Sequence, residues 1–156
     1  MKTRHRILIA CGLAGAAALA QAQSGSADMA AAIQLQPQTE NGVTYMCGGI
    51  GKAEAAQMKR DAADYNLMLT FAENTGAYLA DVNVNIADAR GNTILDTRCG
   101  APILLVNFPR AGSYRIRAEV AGLAVNRTVH VRGRGQAVSL LWPRRLVDRA
   151  TPPPQA

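Results

Sequence analysis

Val82-Asn83-Val84-Asn85-Ile86-Ala87-Asp88-Ala89-Arg90-Gly91-Asn92-Thr93-Ile94-Leu95 places an apolar residue at every second position, breaks the pattern with Asp, Gly and Asn, and then resumes it. Successive side chains of a strand point to opposite faces, so Val82, Val84 and Ile86 share one side and Asn83 and Asn85 the other. The stretch reads as a half-buried strand, a turn from Asp88 to Asn92, and a second short strand from Thr93 to Asp96.

The same period of two runs outward in both directions. Upstream, Leu67, Leu69 and Phe71 alternate with Met68 and Thr70 before an Asn74-Thr75-Gly76 turn. Downstream, Ile103 to Phe108 is apolar on both faces, as a central strand should be. After Pro109-Arg110-Ala111-Gly112, Tyr114, Ile116, Ala118 and Val120 alternate with Arg115, Arg117 and Glu119. Beyond Gly122, Val125, Arg127, Val129 and Val131 oppose Asn126, Thr128, His130 and Arg132; Arg127 breaks the apolar face unless the strand is offset or bulged there. A last strand, Ala137 to Trp142, stops at Pro143. About seven strands at this spacing predict a mainly β fold, a single antiparallel Greek-key β-sandwich over residues 42–143.

One helix is expected, over residues 52–65, where Ala53, Ala55, Ala56, Gln57, Met58, Lys59 and Arg60 favour that state and neither Gly nor Pro intervenes. Its apolar positions are mostly alanines, so it should lie shallowly on the sandwich. Cys47-Gly48-Gly49-Ile50-Gly51 before it predicts a turn or a close backbone approach. It lacks the Lys-Ser/Thr ending of a phosphate-cradling loop.

The first 22 residues carry Lys2, Arg4 and Arg6, an apolar run from Ile7 to Ala20, and Ala20-Gln21-Ala22. This is the order of a Sec signal peptide, too short for the roughly 20 residues of a membrane span. A rival, the lipobox-like Leu8-Ile9-Ala10-Cys11, has only four apolar residues before its cysteine, whereas cleavage after Ala22 uses the whole run. Periplasmic export is therefore expected, followed by a flexible leader over 23–41 and a disordered Arg/Pro-rich tail over 144–156.

Cleavage leaves two cysteines, Cys47 and Cys99. An even pair in an oxidising compartment predicts a structural disulfide, worth about 4 kcal/mol in the chain-entropy model. Neither a Cys-x-x-Cys redox spacing nor a four-ligand zinc set is present.

The formal charge of +6 falls to +3 when the three basic residues of the leader peptide are removed. What remains is uneven, with nine arginines after residue 109 against Glu119 and Asp148. Arg115, Arg117, Arg127 and Arg132 are candidates for a face that meets an envelope protein or an anionic envelope component; the alternative is ordinary solvated strand faces. The basic strands lack the interleaved aromatics of a nucleic-acid platform.

Val82-x-Val84-x-Ile86-x-Asp88-x-x-Gly91-Asn92-x-Ile94-Leu95, then Gly100-x-Pro102-x-Leu104-Leu105, Phe108-Pro109-x-x-Gly112-x-Tyr114 and Val129-x-Val131 with Trp142, together resemble a carboxypeptidase regulatory-like domain. The resemblance covers roughly Tyr65 to Trp142 and implies a prealbumin-like (transthyretin-like) sandwich, an exported protein, and no catalysis of its own. Two enzyme groups share that architecture. Hydroxyisourate hydrolases need several histidines and end in Tyr-Arg-Gly-Ser; intradiol dioxygenases bind iron with two histidines and two tyrosines. After Ala22 this chain has one histidine, His130, and it ends Pro-Pro-Pro-Gln-Ala.

Other catalytic and metal chemistry lacks the residue context it needs. A triad would need His130 with Ser113 or Ser139, neither in a nucleophile elbow. Asp61 with Asp64 reads as a wetted stripe, and Asp81, Asn83, Asn85 and Asp88 are spread along a strand rather than closed around calcium. The expectation is a non-catalytic binding or interaction module without metal or cofactor; the alternative is a small periplasmic hydrolase or metal-dependent enzyme.

Overall fold

The computed structural model describes residues 35–144. The expected signal peptide, the lipobox at Cys11, residues 23–34 of the leader and residues 145–156 of the tail lie outside the described residues. Nine strands form among the described residues: β1 Gln38–Glu40, β2 Val43–Gly48, β3 Leu67–Glu73, β4 Val82–Ala87, β5 Thr93–Cys99, β6 Ile103–Asn107, β7 Gly112–Val120, β8 Leu123–Val131 and β9 Gln136–Trp142. They make two sheets, β1-β2-β6-β3-β9 (sheet A) and β5-β4-β7-β8 (sheet B). The mainly β sandwich with one helix is as the alternation predicts.

Two features depart from that expectation. Gln38–Glu40 forms a strand where a flexible leader is expected, paired with β2 through a turn at Asn41-Gly42. The sandwich is also not wholly antiparallel, because β9 runs parallel to β3 from Leu67↔Gln136 to Glu73↔Trp142. The antiparallel neighbour of β3 is β6, so β9 takes the remaining edge after crossing over from sheet B.

The apolar halves of the alternating strands meet between the sheets. Leu67, Leu69, Phe71, Val82, Val84, Ile86, Leu95, Leu104 and Val106 are all fully buried in one cluster. Phe71 meets Trp142 edge-on at 6.3 Å, and Phe108 stacks on Tyr114 at 4.1 Å.

The helix, α1, spans Gly51–Asp61, and a 3₁₀ turn follows over Ala62–Asp64. It links β2 to β3, which flank β6, and so crosses over β6 on the outer side of sheet A. Ile103 and Leu105 of β6 thereby gain a cover of Met58, Ala62 and Tyr65, which explains why that strand is apolar on both faces. The helix stops short of residue 65 because Tyr65 is extended, and the Asn107 amide donates to the Asp64 carbonyl. At its start the Glu54 carboxylate accepts from the N–H groups of Gly49 and Ile50, at 2.7 and 3.2 Å. Gly49 has φ +105°, and a Cβ there would sit 3.0 Å from Ile103 Cδ1. Both readings of the glycine run, turn and close approach, therefore hold.

Cys47 and Cys99 are bonded, with Cα atoms 5.6 Å apart. The bridge ties β2 of sheet A to β5 of sheet B and fixes the glycine-rich entry to α1 against the strand that precedes Pro102.

Candidate functional site

Sheet A carries α1 on its outer side, whereas the outer side of sheet B is built from short polar and charged groups. Register places Asn83, Asn85 and Ala87 of β4 beside Glu119, Arg117 and Arg115 of β7. Those in turn lie beside Ala124, Asn126 and Thr128 of β8. The wetted half of each alternating strand thus assembles into one surface, since directly paired residues share a face.

Two hollows mark this surface. One, of about 410 Å³, is bordered by Arg115, Arg117 and Arg127 together with Asn85, Asn126 and Thr128. The other, of about 330 Å³, is bordered by Asn83, Asp96 and Glu119 and shares Asn85 and Arg117 with the first. Together they form a shallow trough across all four strands of sheet B.

The cations in and around it are not equivalent. Arg117 is held by Glu119 at 2.6 Å, and Arg98 by Asp81 at 3.2 Å, both exposed pairs of small energetic weight. Arg115 has no ion pair among the described residues, and its guanidinium lies over Gly91, where a Cβ would come within 3.1 Å. Glycine at the tip of the β4–β5 turn, with φ +93°, therefore leaves room for the arginine as well as for the backbone.

Of the four arginines singled out from sequence, Arg115, Arg117 and Arg127 border the first hollow. Arg127 pairs with the buried Ile116, so by register it starts from the opposite face to Arg115 and Arg117, yet on the edge strand β8 it still borders the hollow they share. The β7–β8 register is continuous, with neither the offset nor the bulge that sequence reasoning required. Arg127 escapes burial because β8 is the edge of sheet B, and an inward-pointing charge on an edge strand also discourages further strand addition. Arg132 lies just past the end of β8, exposed.

The residues weighed for catalysis are also placed. Ser113 and His130 are directly paired across β7 and β8, with Oγ and Nδ1 2.7 Å apart. Among the described residues no carboxylate hydrogen-bonds the ring, and Ser113 sits in an extended strand rather than an elbow. Ser139 is in β9 of the other sheet. Asp61 accepts from Gln57. Asp81, Asn85 and Asp88 go to separate tasks: an ion pair with Arg98, hydrogen bonds to Thr93 and Asp96, and the closing of a turn. No group of three or more metal-ligating side chains is found among the described residues.

Sequence reasoning passed over two asparagines that close one end of the sandwich. The Asn66 N–H donates to Asn107 Oδ1 at 2.7 Å, while the Phe108 N–H donates to Asn66 Oδ1 at 2.8 Å. Each interrupts or ends an apolar run, the one local signal they give.

No protein-family model matches the chain, and no curated protein matches it.

Proposed function

We propose that this chain is an exported, non-catalytic binding module that meets an anionic envelope component through the outer face of sheet B. One observation carries the reading: among the described residues nothing covers the trough, and Arg115, in the larger of its two hollows, has no counter-ion there. The surrounding Asn85, Asn126 and Thr128 can add hydrogen bonds to phosphate or carboxylate oxygens, and a guanidinium can grip either bidentately. The inter-sheet cystine supports an oxidising location, and among the described residues no helix is long and apolar enough to cross a membrane. The carboxypeptidase regulatory-like resemblance supports the same role, since such domains accompany catalysis rather than perform it.

The test is co-sedimentation with anionic phosphatidylglycerol vesicles and, in parallel, crosslinked capture from a periplasmic extract, each with Arg115→Glu/Arg117→Glu as control. Binding by wild type that weakens at high salt and disappears on charge reversal is expected. Equal recovery of the same partners by the reversed variant would sink the reading.

A further inference from the structure

A third hollow, of about 410 Å³, lies on the other side of the molecule, between α1 and Tyr78. Lys52, Ala55, Ala56 and Lys59 form its helical wall, with Gly49 and Gly51 at one end. Positions 52, 55, 56 and 59 recur at helical spacing, so they make one stripe whose two lysines are about 10.5 Å apart along the axis. Tyr78 faces them from the β3–β4 connection, anchored by a bridge to Ala72, with 53% of its surface exposed. Ile50, between the two glycines, is 65% exposed. Exposed large apolar groups beside a groove of this size are the marks of a ligand surface. Neither lysine has an ion pair or hydrogen bond among the described residues.

We propose that this groove binds a fatty acid: Ala55, Ala56 and the Tyr78 ring take the methylenes, and Lys52 or Lys59 pairs with the carboxylate. The hydrogen-bonding inventory chooses the occupant. An extended acidic peptide would also suit two lysines, but its backbone needs donors and acceptors. The nearby loop N–H groups of Gly49 and Ile50 are already given to Glu54, and past the uncapped N–H groups of its first turn the helix backbone is bonded within itself, so no row of alternating donors and acceptors faces the groove. A hydrocarbon chain has no such demand, and its burial gains from every methylene. The site is independent of the arginine trough on sheet B.

The test is a ¹H–¹⁵N NMR titration of the purified, oxidised protein with dodecanoate below its micelle concentration. Octanoate, dodecyltrimethylammonium, acetate and a short glutamate-rich peptide serve as comparison ligands. Shifts confined to residues 49–59 and 78 are expected, with affinity rising about two- to fourfold per added methylene. Lys52→Glu/Lys59→Glu should weaken dodecanoate about tenfold while leaving the resonances of the sandwich core in place. Equal binding of the cationic amphiphile, indifference to chain length, saturation by the peptide instead, or shifts scattered over the surface would each overturn the proposal.

Discussion

At the scale of single residues, polar side chains beside the strand ends close the turns there. The Tyr114 hydroxyl donates to the Arg110 carbonyl at 2.7 Å, closing the Pro109-Arg110-Ala111-Gly112 turn from which its own strand emerges. Tyr114→Phe keeps the stack on Phe108 and deletes that bond, so a loss of about 1 kcal/mol is expected in urea unfolding. Loss of hydration raises the Tyr114 phenol above its ordinary value; burial with the charges of Asp61 and Asp64 does the same to Tyr65. A pKa raised by folding gives stability that is complete below about pH 10 and is lost as pH climbs through the higher folded values. The alkaline limb of the stability profile should therefore flatten in Tyr65→Phe and Tyr114→Phe. Asp88 behaves oppositely. Its Oδ2 accepts from the Asn92 side chain and its Oδ1 from the Asn92 and Arg90 N–H groups, bonds that favour the carboxylate and lower its pKa. Its contribution is complete above about pH 4 and drains away as pH falls through the lower folded value. The stability gap between wild type and Asp88→Asn, measured by urea unfolding from pH 7 to pH 2, should narrow only in that acid range; a gap independent of pH would refute the assignment.

At the scale of elements, the β7–β8 hairpin turns in two residues, Ala121 and Gly122, both at positive φ (49° and 78°). Such a turn matches the twist of paired strands but suits Asn or Gly, and an alanine in the left-handed region is strained. Ala121→Asn should stabilise the fold by about 0.5–1 kcal/mol, read as a higher urea midpoint with unchanged slope. The equivalent turn at Asn41-Gly42 already has the preferred pair, and here the sequence carried a signal that the polar, Ala-rich run before it obscured. Strand existence was legible because a period of two must bury one face; Leu67, Val84 and Ile116 could be assigned inward from sequence. Pairing direction was not, since nothing local in Gln136–Trp142 distinguishes a parallel from an antiparallel neighbour. The same limit applies to the candidate face. Arg115 and Arg117 share it by alternation alone. The phase that puts Arg127 on the other side is equally visible, yet its tolerance there depends on β8 being an edge, a fact of the whole sheet.

At the scale of the molecule, the sheets are tied together at both sides. The Cys47–Cys99 bond ties β2 to β5, and on the far side the Trp142 indole N–H of β9 donates to the Leu123 carbonyl of β8 at 3.0 Å. In each sheet these strands are three steps apart, about 14 Å at ordinary strand spacing. Changes more than about 7–10 Å apart with no shared partner usually add to within about 0.5 kcal/mol. Reducing the disulfide, or Cys47→Ser/Cys99→Ser, should cost about 4 kcal/mol by freeing a loop with a sequence separation of 52. Trp142→Phe should cost about 1–3 kcal/mol, from the lost hydrogen bond and from the space left beside Phe71. The combined variant is then expected to lose the sum, a large share of the 5–15 kcal/mol that holds a domain of this kind together. Trp142 is the one tryptophan in the chain, so unfolding has to be followed by far-ultraviolet circular dichroism in all four proteins. A combined loss well short of the sum would mean that opening one side already frees the other, and the two sheets would then be held by a single coupled contact rather than by independent ties.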